Sequence, residues 1–236
     1  MRRYAPRFLH RRSPVSAVVA ALALATGLAA CGSSGGGNGE STPAPSSSGA
    51  AKPIASYSAL TGTSTTVTLT KSFSSALSSL GLVPRVTAPA KLTDSAITLP
   101  ITGGHATVYA KGARSPQFTG TIKHGGELQL TAQGVKVGLR NFVLRLGAKS
   151  TLSGQILVNG SPFGSDAFTM FDLDTSTMTA PKSSGGTTTL SGGTVYVDTQ
   201  AASALNTAFG IANTSKALPT RGSGLKVGTA TIVLKG

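Results

Sequence analysis

The chain has 236 residues, with 21 Lys and Arg against 7 Asp and Glu, and 5% of its residues are aromatic. This length fits one large domain or two small ones, and the single cysteine excludes both a disulfide framework and a thiolate zinc cluster. The low charged fraction of 12% and the Val, Ile and Leu residues spread from Ile97 onward exclude a highly charged disordered chain.

The first 30 residues have the layout of a secretory signal. Five arginines precede Ser13, and an apolar run follows over Val15–Ala30 that is shorter than the ~20 residues of a membrane-spanning helix. The sequence Leu28-Ala29-Ala30-Cys31 resembles the lipobox of bacterial lipoproteins, which implies cleavage before Cys31 and diacylglyceryl attachment to its sulfur. We therefore expect an exported protein that lipidated Cys31 anchors to the outer face of the cell membrane. Ordinary secretion, with an unmodified cysteine, is the alternative.

Removal of residues 1–30 takes away five arginines and no acid, so the net charge falls from +14 to +9. The remaining basic residues are dispersed along the chain, whereas basic patches that bind nucleic acid are usually clustered. We therefore expect no nucleic-acid partner. An anionic wall polymer remains a candidate partner for such a charge.

The predicted domain organisation has three parts. A signal peptide over residues 1–30 precedes a flexible tether over residues 31–55, which is rich in Gly, Ser and Pro and cannot bury enough apolar surface to become ordered. Residues 56–236 form a single domain of a size that buries a substantial core.

The domain is dominated by short segments in which apolar and polar residues alternate. This period of two, with Gly-rich breaks, predicts antiparallel strands. The segments are 65–70, 107–109, 118–123, 127–131, 135–139, 142–146, 155–158, 167–173, 195–197 and 226–234. Two turns are predicted between strands: a hairpin at His124-Gly125-Gly126 and a turn at Asn159-Gly160.

Two segments, Lys71–Leu80 and Thr199–Phe209, carry apolar residues at helical spacing instead. Thr70 and Asp198 precede them as predicted N-caps. A strand that leads into a capped helix thus occurs twice, which suggests either two related halves or chance. The predicted fold is a mainly β, antiparallel sandwich or barrel-like domain with two short helices that close its ends.

The domain is poor in groups that do catalysis. No Gly-x-Ser-x-Gly elbow on a strand–helix turn is present, and none of the Gly-Gly pairs in the domain is followed by the Lys-Ser/Thr of a phosphate loop. Asp172 and Asp174 are predicted to share one face of a strand, which leaves a carboxylate hydrolase as an alternative. We expect a protein that is not an enzyme.

Part of the chain resembles a known family. Leu99-Pro100-Ile101-Thr102-Gly103-Gly104 and the segment Phe118–Thr131, with His124 at its centre, are similar to the core of the HtaA-type domain of haem-uptake proteins. The resemblance implies a β-rich fold and a haem pocket near His124, which matches the family histidine that assists an iron-ligating tyrosine. Where the family has that tyrosine, after a Ser-Phe-x-x run, this sequence has Ala76.

Haem is therefore the cofactor that the resemblance implies, with His124 as the candidate metal ligand. The residues that remain to replace the family tyrosine are Tyr57, Tyr109 and Tyr196. Two functions stay open: a membrane-anchored lipoprotein that binds haem or a related porphyrin, and a non-catalytic envelope module that has lost haem binding.

Overall fold

The computed structural model describes residues 51–220, 222 and 224–236. The predicted signal peptide, Cys31 and the tether up to residue 50 lie outside the described residues. Within them the chain forms thirteen strands and two helices. In chain order these are β1 (Ala55–Tyr57), β2 (Gly62–Leu69), α1 (Lys71–Ser79), β3 (Val83–Thr87), β4 (Lys91–Leu92), β5 (Ala96–Val108), β6 (Phe118–His124), β7 (Glu127–Ala132), β8 (Val135–Leu146), β9 (Ser150–Val158), β10 (Ser161–Asp174), β11 (Lys182–Ser184), β12 (Thr187–Val197), α2 (Thr199–Ala208) and β13 (Lys226–Lys235).

Eight of the strands close an antiparallel barrel in the order β5-β2-β13-β12-β10-β9-β8-β6, with β6 pairing back to β5. The prediction of a mainly β, barrel-like domain with two short helices is confirmed. Side chains alternate between the two faces of each strand. Residues that are paired on neighbouring strands therefore point to the same face of the sheet and form rings around the barrel. One inward-facing ring contains Ile122, Leu144, Leu152, Phe171 and Val197.

The half of the barrel around the C-terminal end of β5, at Val108, is filled by side chains. Its large core residues are at most 2% exposed: Val108, Phe118, Leu190 and Leu234. They close-pack as protein interiors normally do. Any ligand site inside the barrel must therefore lie toward the opposite end.

Both helices begin at that opposite end. Thr70 and Asp198 are their N-caps, as predicted, and the helix bounds agree with the periodicity to within one residue. The expectation that the helices close two different ends was wrong. β2 and β12 both pair antiparallel with β13, so they run in the same direction. Because α1 follows β2 and α2 follows β12, both helices lie at the same end of the barrel.

The segment His124-Gly125-Gly126 is a bend and not the predicted hairpin. β6 and β7 do not pair with each other but pair with successive parts of β8, so they form one long strand that changes direction at the two glycines. Gly126 has φ +93°, and a Cβ atom there would lie 2.4 Å from the side chain of Ala90. Beyond the bend, β7 leaves the barrel and pairs with β3.

The predicted turn at Asn159-Gly160 is confirmed. These two residues connect β9 to β10 with φ values of 51° and 85°, as a type I′ turn requires.

The side chain of Asp198 caps the N-terminus of α2. Asp198 is 7% exposed, and its Oδ1 accepts hydrogen bonds from the N–H groups of Gln200 (2.8 Å) and Ala201 (3.4 Å). We expect Asp198→Ala to lower the free energy of unfolding by about 1 kcal/mol, because these two N–H groups lose their acceptor. Urea unfolding measures this. Asp198→Asn keeps the acceptor and should lose less, so equal losses in both variants would contradict the capping role.

Candidate ligand-binding site

An apolar cavity of about 60 Å³ lies between the two helices and the end of the barrel. Every residue that lines it is apolar. The helices contribute Phe73 and Leu77 from α1 and Ala201 and Leu205 from α2, and the strands add residues near their ends, including Leu69, Val197 and Val227. The cavity therefore suits the apolar part of a ligand and offers it no hydrogen bond.

An open cleft of about 370 Å³ adjoins this cavity, between α1 and the β3–β4 region. Its rim is polar, with Ser74 and Ser78 on α1 facing Thr93 and Asp94. The cleft and the cavity share four lining residues, so only these side chains separate them: Leu69, Leu77, Leu82 and Pro84. Together the two spaces fall within the roughly 300–1,000 Å³ of ordinary small-molecule pockets.

The two helices differ in how firmly they are held. α2 buries five residues, among them Asn206, whose amide donates to the carbonyl of Leu218 (2.9 Å) and accepts from the N–H of Leu218 (2.7 Å). α1 buries only Phe73 and Leu77. Since fewer buried contacts mean a lower cost of local opening, α1 is the helix that separates more easily from the barrel.

Position 76, where the HtaA-type family has its tyrosine, lies on α1. Ala76 is half-buried and lines neither the cavity nor the cleft.

His124 lies inside the barrel, at the end of β6. It is 5% exposed and lines a second apolar space of about 50 Å³ with Thr65, Leu99 and Leu144. Its Nε2 is 2.8 Å from Thr65 Oγ1. Nδ1 meets no described partner at ordinary hydrogen-bond geometry, although the backbone of Phe142 is near enough to act on the imidazole. Phe171 lines both this space and the cavity beneath the helices, so the two adjoin.

Burial lowers the pKa of His124 from 6.5 to about 4, although the backbone of Phe142 offsets part of this effect. The imidazole is therefore neutral at pH 7. A neutral imidazole is the form of histidine that ligates metals, including haem iron.

The three tyrosines proposed as substitutes for the family ligand lie elsewhere. The hydroxyl of Tyr57 is 2.8 Å from Thr188 Oγ1, and that of Tyr109 accepts a hydrogen bond from Arg114 (3.0 Å). Tyr196 is in register with Asp172 on the outer side of the barrel. None of the three lines the cavity beneath the helices or the space around His124.

Among the described residues, neither Asp172 nor Asp174 forms a hydrogen bond or an ion pair with a histidine, although Asp172 also lines the space around His124. Asp172 forms an ion pair with Lys149 (3.3 Å), and Asp174 Oδ1 accepts a hydrogen bond from the N–H of Ser176 (2.9 Å). Within the described part of the chain, no group of three or more His, Cys, Asp or Glu side chains is placed to hold a metal ion. Neither α1 nor α2 has the length and hydropathy needed to span a bilayer.

Comparison with solved structures finds a distant similarity. The C-terminal domain of HtaA from Corynebacterium glutamicum, a crystal structure, matches this chain with a TM-score of 0.49 and 13% sequence identity. The match covers 75% of this chain and 98% of that domain. No family model matches the chain, and no curated protein matches it.

Proposed function

We propose that this chain is a non-catalytic binding protein whose barrel domain takes up a hydrophobic ligand of the haem or porphyrin class, and that lipidated Cys31 anchors it to the outer face of the cell membrane. The observation that carries the binding proposal is the position of the apolar cavity. It lies beside an open cleft and is separated from it by only four side chains, one of them on the less firmly held helix.

The described cavity is smaller than a porphyrin, so uptake requires α1 to move away from the barrel and join the cleft to the cavity. The apolar walls then match the faces of the macrocycle. On the rim of the cleft, the hydroxyls of Ser74, Ser78 and Thr93 can donate hydrogen bonds to its carboxylates, whereas the carboxylate of Asp94 repels them. In this proposal haem is cargo. His124 is its candidate iron ligand, because the imidazole is neutral and lines an apolar space that adjoins the cavity.

The test is a haemin titration of the full-length chain, followed by absorbance in the Soret region, and a parallel titration with the fluorescent apolar probe 1-anilinonaphthalene-8-sulfonate. Ala201 is 3% exposed and lines the cavity, so Ala201→Leu fills part of the space. We expect this variant to weaken both titrations about tenfold, the effect of losing roughly 1.4 kcal/mol of binding free energy. Ala113→Leu, on an exposed loop, should change neither.

The outcomes distinguish the parts of the proposal. Binding of the apolar probe without a Soret shift would overturn the haem assignment and leave an apolar site. Failure of both titrations would overturn the binding function itself. In His124→Gln we expect a changed Soret spectrum with unchanged binding of the apolar probe, and an unchanged spectrum would remove His124 from the site.

A further inference from the structure

A set of exposed cations lies on the outer surface of the sheet formed by β3, β7, β6, β8 and β9. We call this surface the basic wall. Its cations are Arg85, Lys123, Lys136, Arg140 and Arg145. Cross-strand register places them on one side of the sheet: Arg85 pairs with Gln129, Glu127 with Arg140, and Arg145 with Thr121 and Thr151, all away from the barrel interior.

The basic wall has little negative charge of its own. Among the described side chains, Glu127 is its one carboxylate, and Oε1 of Glu127 already accepts a hydrogen bond from Gln129 (3.0 Å). The five cations form no ion pair with any described residue. Five positive charges facing one carboxylate therefore leave a local excess of positive charge, which attracts anions over about 8–10 Å at physiological salt.

The residues between the cations are mostly hydrogen-bonding. The outward positions on these strands include Thr121, Gln129, Thr131 and Thr151. Val83, 52% exposed, is at the edge of the wall. A surface of hydroxyls, amides and cations suits a chain of phosphate groups, because each phosphate can accept several hydrogen bonds and a charge contact at once. A lipid surface also attracts cations, but the hydroxyls and amides between the cations of the basic wall would gain less there, because membrane-docking surfaces usually place aromatic or large apolar side chains at such positions.

We propose that the basic wall binds a linear polyanion with repeating phosphate groups. This interaction is separate from the proposed uptake of a hydrophobic ligand, which occurs at the helix-covered end of the barrel. It would hold the folded domain against a phosphate-bearing polymer through contacts spread over several strands.

The test compares two double variants of the full-length chain in binding to long-chain polyphosphate. Lys123→Gln/Arg145→Gln removes two charges from the basic wall. Lys226→Gln/Lys235→Gln removes two exposed charges from β13, which is four strands from β8 in either direction around the barrel. The two variants have the same net charge.

We expect the wall variant to weaken binding at least tenfold at low salt and to reduce the slope of log Kd against log salt concentration by about 0.7 for each phosphate group that the wall no longer neutralises. The β13 variant should stay close to the unmodified chain. Equal losses in both variants would overturn the proposal, since they would show a response to net charge alone. Binding to phosphatidylglycerol vesicles without binding to polyphosphate would also overturn it. Haemin uptake should be the same in the wall variant as in the unmodified chain, which keeps this test distinct from that of the proposed function.

Discussion

Gly228→Ala should open the barrel between β13 and β2. Gly228 is opposite Leu69 in the pairing of β13 with β2. A Cβ atom at position 228 would lie 2.0 Å from the carbonyl oxygen of Thr68 and 3.2 Å from the Cα of Leu69. Both are backbone atoms, so no side-chain rotation relieves the overlap and the two strands must separate. We expect the free energy of unfolding to fall by about 3 kcal/mol, at the upper end of the usual cost of overpacking.

Urea unfolding followed by circular dichroism measures this change. Gly147→Ala is the matched control, because a Cβ atom at position 147 would meet nothing within 4 Å. A Gly228→Ala variant within about 0.5 kcal/mol of the unmodified chain would contradict the prediction, since ordinary surface substitutions cause changes of that size. The carbonyl of the adjacent Val227 accepts a hydrogen bond from the N–H of Thr70 (2.9 Å), so separation of these strands also disturbs the start of α1.

The stability of the domain should fall as the pH drops below about 6.5, because of His124. Its pKa is lowered from 6.5 to about 4 in the folded state, chiefly by burial. The unfolded chain therefore takes up the proton first, which favours unfolding. The loss begins near the unfolded pKa, grows as the pH falls and is complete once the pH passes below the folded pKa. One pKa unit corresponds to 1.36 kcal/mol, so the full loss is about 3 kcal/mol.

The measurement is the free energy of unfolding at pH 7 and at pH 4.5 for the unmodified chain, His124→Gln and His105→Gln. We expect His124→Gln to lose about 2–3 kcal/mol less than the unmodified chain between these two pH values. His105 is exposed on β5, and its variant should follow the unmodified chain. If His124→Gln kept the full dependence on pH, the buried imidazole would not be its source.

The helices and most strands follow from local patterns in the sequence. The apolar spacing of Phe73 and Leu77 and the N-cap at Thr70 suffice to predict α1, because these features act within a few residues. The bend after His124 could not be predicted in the same way. Two glycines between alternating segments are compatible with a hairpin or with a bent strand. Here β6 and β7 both pair with β8 and not with each other, and the two glycines do not reveal that pairing.

The candidate site was predictable only in part. The apolar positions of both helices were identified, and several of them line the cavity. The cavity and cleft exist because β2 and β12 end at the same end of the barrel, where α1 and α2 follow them. That arrangement depends on strand pairing between distant parts of the chain, which local sequence patterns do not reveal. For the same reason, residue type alone marked Tyr57, Tyr109 and Tyr196 as ligand candidates, although the fold places them away from His124.

The pairing of β2 with β13 has a consequence for the synthesis of the protein. It joins residues as far apart as Thr63 and Val233, whose hydrogen bond spans 170 positions. Contacts over such distances make folding slow, because the chain must close a long loop before they form. While the ribosome is still adding β13, β2 and β12 each have an unpaired edge that can pair with another chain. The nascent domain therefore depends on protection from aggregation until nearly all of its residues have emerged.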